Sequence, residues 1–266
     1  MVKTATKKNN VQIMGNKESE KTLVFGHGFG TDNTSWRFVL PAFENEYKII
    51  TYDNVGAGKS DMDAYNSVKY SHLNSYAQDL VEICDELDVE DAVFIGHSVS
   101  GMVGLLASKI APDFFKKHVF MNASPRYLND GLYKGGFDQS DLDSLYEAMA
   151  TNYYAWVSGF STLAMRNEDK PSLAAEFART LSEVRPDVAL AVAKAIFESD
   201  HRKDLPDFEK ESLFIQSKND IAVPMEVAHY FRKNISNSTV YEIDVDGHFP
   251  HISAPEEIVT AIRSFI

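Results

Sequence analysis

The chain has 266 residues, 44% of them apolar and 24% charged, which are ordinary values for a globular protein with a buried core. Its formal net charge of −13 argues against a nucleic-acid partner and repels anionic substrates at long range. Cys84 is the only cysteine, so no disulfide can form within the chain, which fits a reducing compartment. Residues 1–10 are basic and polar without an apolar core, and no later stretch is apolar enough to cross a membrane. We therefore expect a cytoplasmic protein that binds neither nucleic acid nor membrane.

Short apolar runs rich in β-formers alternate with helical patterns along most of the chain. This alternation is typical of a mostly parallel sheet with helices on both faces. After a flexible tail at residues 1–10, strands are predicted at residues 21–25, 48–52, 92–95, 118–122, 213–216 and 240–243. Helices are predicted at residues 36–43, 75–87, 101–110, 224–234 and 255–265.

Residues 128–204 interrupt this alternation. They contain helical patterns at residues 142–154, 174–181 and 187–197 and no convincing strand. A second independent domain is the alternative, but roughly 75 residues of helix without a sheet is small for one. We therefore predict that residues 128–204 form a helical lid on an α/β core made of residues 11–127 and 205–266.

Residues 93–101 read V-F-I-G-H-S-V-S-G, an apolar strand that runs into a tight turn around Ser98. Gly96 and Ser100 must be small because the strand and the following helix come close together there. The pattern is similar to the nucleophile elbow G-x-S-x-G of α/β hydrolases, with Ser100 in place of the last glycine. We therefore predict an α/β-hydrolase fold with Ser98 as its nucleophile and a structural role for His97 in the elbow.

A serine hydroxyl becomes an effective nucleophile when a base accepts its proton and a carboxylate orients that base. In α/β hydrolases these residues follow in the chain order Ser, then Asp or Glu, then His. Asp220 follows the strand predicted at residues 213–216, and His248 follows Gly247 after the strand predicted at residues 240–243. Ser98, Asp220 and His248 are therefore the predicted catalytic residues.

Three other residues compete for the roles of base and acid. His251 lies near the last predicted helix and is the second candidate for the base. Asp244 and Asp246 are closer to His248 in sequence than Asp220 is, but aspartates in such a segment commonly form turns.

The glycine-rich residues 26–30, G-H-G-F-G, follow the first predicted strand. Glycines let a backbone N–H turn towards a developing oxyanion, so the amides of Phe29 and Val99 are the predicted oxyanion donors. Neither this segment nor residues 53–60, D-N-V-G-A-G-K-S, has the spacing of a nucleotide-binding loop, and residues 53–60 indicate a structural turn. The histidine and cysteine spacing fits no metal site, so neither a metal nor a cofactor is predicted.

Further segments resemble the karrikin- and strigolactone-receptor hydrolases of plants and their bacterial relatives, the RsbQ-like stress-response regulators. Residues 96–104, G-H-S-V-S-G-M-V-G, share the serine at Ser100 with the plant members. The other matching segments are residues 28–32, 52–58, 123–130, 135–137, 152–156, 185–187 and 246–251. Residues 63–66, D-A-Y-N, look more like the bacterial relative and favour a bacterial RsbQ-like member.

The resemblance implies the same three catalytic residues, a V-shaped lid of four helices and an apolar substrate pocket. Such a pocket suits a small, largely apolar ester or butenolide lactone. The pocket residues implied by position are Gly28, Phe29, Tyr127, Phe137, Trp156, Phe160, Phe197, Ile221 and Phe249.

Two functions of different class follow. The first is a cofactor-independent serine hydrolase that works through an acyl-enzyme. The second is a ligand sensor whose slow hydrolysis is coupled to a signalling protein partner, of the phosphatase type in the RsbQ-like case. A C–C hydrolase or a haloperoxidase on the same scaffold is also open, since a fold does not fix one chemistry.

Overall fold

The computed structural model describes residues 4–266, and within them the strands form one seven-stranded sheet. The strands are β1 (Gln12–Gly15), β2 (Thr22–Gly26), β3 (Lys48–Tyr52), β4 (Ala92–His97), β5 (Phe115–Met121), β6 (Glu211–Asn219) and β7 (Ser238–Asp246). Their order across the sheet is β1-β3-β2-β4-β5-β6-β7, and every pairing is parallel except that of β1 with β3. The α/β-hydrolase fold predicted from the sequence is confirmed. Strand β1 was not predicted because it is short and largely exposed.

The helices that cover the sheet and its carboxyl edge are α1 (Ala5–Lys8), α2 (Leu73–Glu86), α3 (Val99–Ile110), α4 (Gln139–Thr151), α5 (Tyr153–Met165), α6 (Pro171–Ser182), α7 (Pro186–Phe197), α8 (Met225–Asn234), α9 (Pro250–Ser253) and α10 (Pro255–Arg263). No helix within residues 4–266 combines the length and the apolar character needed to span a membrane.

Two predicted helices differ from the structure. Residues 36–43 form two short 3₁₀ turns, Asn33–Trp36 and Leu40–Ala42, instead of an α-helix. Pro41 explains the difference, because it lacks an amide donor and disfavours helical backbone at the residue before it. The helix predicted at residues 142–154 is divided between α4 and α5, since the extended backbone of Asn152 ends one helix and its side chain caps the next.

Alternating strand residues build two separate cores, one on each face of the sheet. On β2, Val24 packs on the face covered by α2, α3, α8 and the lid, whereas Leu23 and Phe25 pack on the opposite face. Trp36 of the first 3₁₀ turn and Ile258 of α10 cover that second face. Because both faces are covered, the central strands are apolar at nearly every position.

Residues 4–10 of the predicted tail pack against α2 and against Asp53, which follows β3. The Lys8 ammonium group lies 2.8 Å from the buried carboxylate of Asp79, and the Thr6 hydroxyl donates to Glu86. Asn9 is fully buried and its amide donates to the Asp53 carbonyl oxygen. Residues 1–3, which also belong to the predicted tail, lie outside the described residues.

The four helices α4 to α7 lie within residues 128–204, between β5 and β6, and contact the loops at the carboxyl edge of the sheet. The start and end of this insertion meet where the His201 amide donates to the Pro125 carbonyl and Arg126 pairs with Asp200. Phe177 of α6 packs against Phe249, which follows β7. The insertion therefore packs over the residues that follow β7.

Candidate active site

Ser98, Asp220 and His248 meet at the carboxyl edge of the sheet. Ser98 directly follows β4, Asp220 directly follows β6, and His248 comes two residues after β7. The chain runs from β2 to β3 on one side and returns to β4 on the other, so the strand order reverses beside β4. In open α/β sheets such a reversal leaves a crevice at the carboxyl ends, where ligands bind.

Ser98 has an unusual backbone conformation, with φ of 54° and ψ of −124°. Few residues other than glycine adopt such a positive φ, and the surrounding contacts must hold it there. The Ser98 amide donates to the Met121 carbonyl on β5 at 2.8 Å. A Cβ atom at Gly96 would lie 2.6 Å from the backbone nitrogen of Gly101, so glycine is required where strand and helix cross. The sharp turn places the Ser98 hydroxyl clear of its own backbone.

The three side chains form a continuous hydrogen-bonded chain. His248 Nδ1 lies 2.7 Å from Asp220 Oδ2, and His248 Nε2 lies 2.9 Å from Ser98 Oγ. The other oxygen of the Asp220 carboxylate accepts the Ala222 and Val223 amides, which fixes its direction. With Nδ1–H donating to the carboxylate, Nε2 is free to accept the proton of the serine hydroxyl.

The backbone of His248 is held from two sides. His97 Nε2 donates to the His248 carbonyl oxygen at 2.7 Å, and the His248 amide donates to the Ala164 carbonyl of α5. Because His97 is completely buried, and because His251 and His248 lie close to it, its pKa is held well below the usual value. A neutral His97 therefore holds the backbone of His248 through this hydrogen bond, in agreement with the structural role predicted for it.

The competing residues lie elsewhere. His251 is completely buried between Trp36 and His97, with ring centroids 4.6 Å and 4.5 Å away. Asp244 pairs with Lys218 at the surface, and Asp246 accepts a hydrogen bond from the Asn219 side chain. The geometry brings neither aspartate to the ring of His248.

The Phe29 amide is oriented by the carbonyl group of the residue before it. The Gly28 carbonyl oxygen accepts hydrogen bonds from His27 Nδ1 at 2.8 Å and from the Thr31 hydroxyl at 2.9 Å. In a planar trans peptide the C=O and the next N–H point in opposite directions, so fixing this carbonyl fixes the Phe29 N–H. The Val99 amide belongs to the first turn of α3, where amides have no partner within the helix. The two amides therefore stay the predicted oxyanion donors.

Ser100 connects the elbow to the loop that carries Phe29. Its hydroxyl donates to the His27 carbonyl oxygen, and His27 Nε2 accepts the Asn54 amide at 2.9 Å. A Cβ atom at Gly26 would lie 2.8 Å from Ser100 Cβ, so the two segments are in direct contact. The serine that replaces the glycine of the common motif therefore provides a hydrogen bond between the two predicted oxyanion segments.

Asn122 connects the end of β6, which precedes Asp220, with the loop that carries His248, and no local sequence pattern had indicated it. Its side chain donates to the Ser217 hydroxyl and accepts the Ser217 amide, both at 3.0 Å. It also donates to the Gly247 carbonyl. Its backbone has a positive φ of 47°, a conformation that asparagine tolerates better than most residues.

The implied pocket residues form two groups of aromatic rings against the site. Phe197 contacts Phe29, Tyr127 and Phe137, and the Tyr127 hydroxyl lies 3.4 Å from Ser98 Oγ. The second group joins the sheet to the lid through stacked or tilted rings; its members are Trp156, Phe160, Phe177 and Phe249. Ile221 is half-buried against the same core. Phe177 belongs to this second group but was not predicted.

A separate cavity lies beside the elbow and was not predicted from the sequence. Of the predicted pocket residues, Gly28 and Phe29 line it, together with Val99. Its remaining apolar wall comes largely from α3, α7 and the segment before α7. A stripe of apolar residues at helical spacing on α7 (Val188, Ala189, Val192 and Ile196) was the available signal, but such a stripe usually indicates only a packed core.

The comparisons agree with this architecture. A family model described as "alpha/beta hydrolase fold" matches residues 21–255. The chain is 43% identical over 259 residues to the karrikin insensitive 2 receptor CA of Petunia hybrida, covering 97% of this chain and 95% of that one. It is 44% identical over 248 residues to the strigolactone esterase RMS3 of Pisum sativum, covering 92% of each. A solved structure of a hydrolase from Oleispira antarctica matches with a TM-score of 0.94 at 35% identity, over 98% of this chain and 95% of that one.

Proposed function

This chain belongs to the alpha/beta hydrolase family, among the relatives of the karrikin and strigolactone receptors, and we propose that it is a serine hydrolase of small, largely apolar esters or lactones. The observation that carries the proposal is the hydrogen-bonded chain from Ser98 through His248 to the buried Asp220. Nucleophile, base and orienting acid are within hydrogen-bonding distance of one another, as acyl transfer requires.

In the first half of the reaction Ser98 Oγ attacks the substrate carbonyl carbon, and His248 Nε2 accepts the serine proton. The carbonyl electrons move onto oxygen, and the amides of Phe29 and Val99 stabilise the resulting oxyanion. When the oxyanion collapses, the bond to the leaving oxygen breaks and His248 returns its proton to that oxygen. With a lactone the leaving alcohol stays attached to the acyl group, because the ring opens.

In the second half water attacks the acyl-enzyme and His248 accepts one of its protons. Collapse of the second oxyanion releases the acid and returns the proton to Ser98. The Asp220 carboxylate stabilises the imidazolium form of His248 in both halves. Because the chain carries a net charge of −13 and apolar rings surround the site, neutral substrates are favoured over anionic ones.

A second candidate function is a ligand sensor whose hydrolysis is slow and whose output is a contact with another protein. The observation that favours it is that one relative with 43% identity is a receptor while another with 44% identity is an esterase. We propose a cytoplasmic setting and, for the sensor, a partner of the signalling-phosphatase type in a bacterial RsbQ-like system. Fast turnover together with the lack of such a partner gene nearby would argue against the sensor.

The test is hydrolysis of p-nitrophenyl acetate by the wild-type protein, Ser98→Ala and the surface control Ser140→Ala. Removing a serine nucleophile costs on the order of 10⁴-fold or more in kcat. We expect that loss for Ser98→Ala alone, with Ser140→Ala near the wild-type rate. Equal rates in all three proteins would rule out the proposal. Intact mass after incubation with a butenolide should show an adduct on the wild-type protein that Ser98→Ala lacks.

A further inference from the structure

The cavity beside the elbow has a volume of about 40 Å³ and is lined in part by Phe29 and Val99, the two residues whose amides are the proposed oxyanion donors. Phe29 and Val99 form part of its wall, whereas Ser98 and His248 do not. Most of the remaining wall is apolar and includes Val55, Val103, Val184, Ala189, Val192 and Ile196, while His27, Asn54 and Tyr76 add polar atoms. We propose that this cavity binds the acyl side of the substrate and restricts the enzyme to short aliphatic acyl groups. This inference rests on the proposed hydrolase function.

The position of His248 decides which side of the substrate enters the cavity. His248 must reach the leaving oxygen to return a proton to it, so the leaving group has to lie next to His248. A carbonyl oxygen held by the amides of Phe29 and Val99 then has its other substituent, the acyl chain, on the side away from His248. The lining of the cavity matches that side, since it contains Phe29 and Val99 and lacks His248. The leaving group then contacts Phe249 and the other rings of its group, Trp156, Phe160 and Phe177.

The volume limits the length of the acyl chain. A water-sized group occupies about 10–15 Å³ of such space, so a cavity of about 40 Å³ holds roughly three. Three carbons beyond the carbonyl correspond to a butyryl group. Each methylene moved from water into an apolar site changes a binding or rate constant about fourfold. The specificity constant kcat/KM should therefore rise about fourfold per carbon up to butyryl and fall for hexanoyl and longer chains.

Val192 offers the cleanest change of cavity size. It lines the cavity from α7 and is half-buried, so a substitution disturbs the core less than at the fully buried Ala189. Val192→Phe adds a ring and should fill the space, and Val192→Ala should enlarge it. Ala195→Phe is the matched control, because Ala195 is also half-buried on α7 but does not line the cavity.

The experiment measures kcat/KM for p-nitrophenyl acetate, butyrate, hexanoate and octanoate with wild type and the three variants. For Val192→Phe we expect the butyrate-to-acetate ratio to fall at least about tenfold, the loss of two methylene contacts. For Val192→Ala we expect the hexanoate-to-butyrate ratio to rise about fourfold or more, and for Ala195→Phe both ratios to match wild type.

The possible failures can be told apart. If the wild-type protein shows no turnover that depends on Ser98, the proposed function is wrong. If such turnover is present but both Val192 variants keep the wild-type chain-length profile, the acyl cavity is wrong and the function stands. A shift in the Ala195→Phe profile equal to that of Val192→Phe also overturns the cavity. Should Val192→Phe fail to fold, Val192→Ala decides alone.

Discussion

The carboxyl edge of the sheet and the lid build opposite walls of the same site with different kinds of contact. At the sheet edge, directed hydrogen bonds hold the predicted catalytic groups; Asp220 alone accepts three. In the lid, rings pack against rings, as in the 4.9 Å stack of Trp156 on Phe160 and the 4.4 Å contact of Phe177 with Phe249. Hydrogen bonds set positions and proton directions, whereas ring contacts depend mainly on buried area and shape.

This difference separates chemistry from substrate shape. Acyl transfer fails when the base or the oxyanion donors move by a fraction of an ångström, so their wall is built from backbone and buried polar groups. An apolar wall can change its shape through substitutions while the reacting groups stay in place. The amide of His248, which donates to Ala164 of α5, is one point where the two walls are joined.

The largest effect is expected from a substitution at the sheet edge that leaves the lid unchanged. Asp220→Asn keeps the size of the side chain but removes the negative charge and the tautomer control of His248. We expect kcat for p-nitrophenyl acetate to fall about 10³- to 10⁴-fold, as in other serine triads. The melting temperature should change little by comparison, because the amide still fills the same space.

Asp244→Asn is the matched control for this substitution. Asp244 pairs with Lys218 on the surface, close in sequence to His248 but away from its ring. Its kcat should equal that of wild type. Equal losses for both variants would show that the carboxylate bound to His248 is not the one that supports catalysis.

A substitution in the lid should lower the free energy of unfolding strongly and kcat only slightly. Phe177→Ala removes a ring that is 2% exposed and in contact with Phe160 and Phe249. Truncations of buried phenylalanine cost about 3–5 kcal/mol of unfolding free energy. We expect a loss of that size in urea denaturation, with kcat for acetate within about tenfold of wild type for the protein that remains folded.

Phe38→Ala provides the comparison, because Phe38 is 47% exposed. Its unfolding free energy should change by less than about 1 kcal/mol. If Phe177→Ala instead lowered kcat as strongly as Asp220→Asn, ring packing in the lid would be setting the position of the reacting groups, and the division between the two walls would disappear.

The smallest expected effect is a pH dependence of the unfolding free energy. It comes from histidines in the sheet and in the segment that follows β7, since the lid helices α4 to α7 contain no histidine. Burial lowers the pKa of His118 and of His251 to about 3. In the unfolded chain each of these imidazoles has a pKa near 6.5. Below about pH 6.5 the unfolded state therefore binds protons that the folded state does not bind. The unfolding free energy is therefore not reduced by these two histidines above about pH 6.5, and it decreases as the pH falls from 6.5 towards 3.

His118→Met removes one of these groups. Between pH 5.5 and 4 we expect the slope of unfolding free energy against pH to be smaller than in wild type by about 1.4 kcal/mol per pH unit. Phe120→Leu, a substitution in the same core without a titrating group, should lower the free energy and leave the slope unchanged. An unchanged slope in His118→Met would mean that this histidine does not resist protonation in the folded state.

The sequence alone predicted the parts of the protein that follow local rules. The apolar runs of β2 to β6 were recognised because buried parallel strands are apolar on both faces, and the elbow was recognised because its turn permits only small residues around Ser98. The order of Asp220 and His248 after Ser98 then completed the predicted triad. Predictions failed where a single residue changed the local pattern, as Pro41 did in the first 3₁₀ segment and Asn152 did between α4 and α5.

Tertiary structure decided everything that depends on residues distant in the chain. Ser98 and His248 are separated by 150 positions, and only the sheet order brings Nε2 to within 2.9 Å of Oγ. Asn122 and His97 support the site through contacts whose partners no local pattern identifies. The cavity likewise combines Val99 with a face of α7 that reads in sequence as an ordinary core stripe. Local sequence specifies elements and turns because their energetics are local, whereas the shape of a site depends on how distant elements pack.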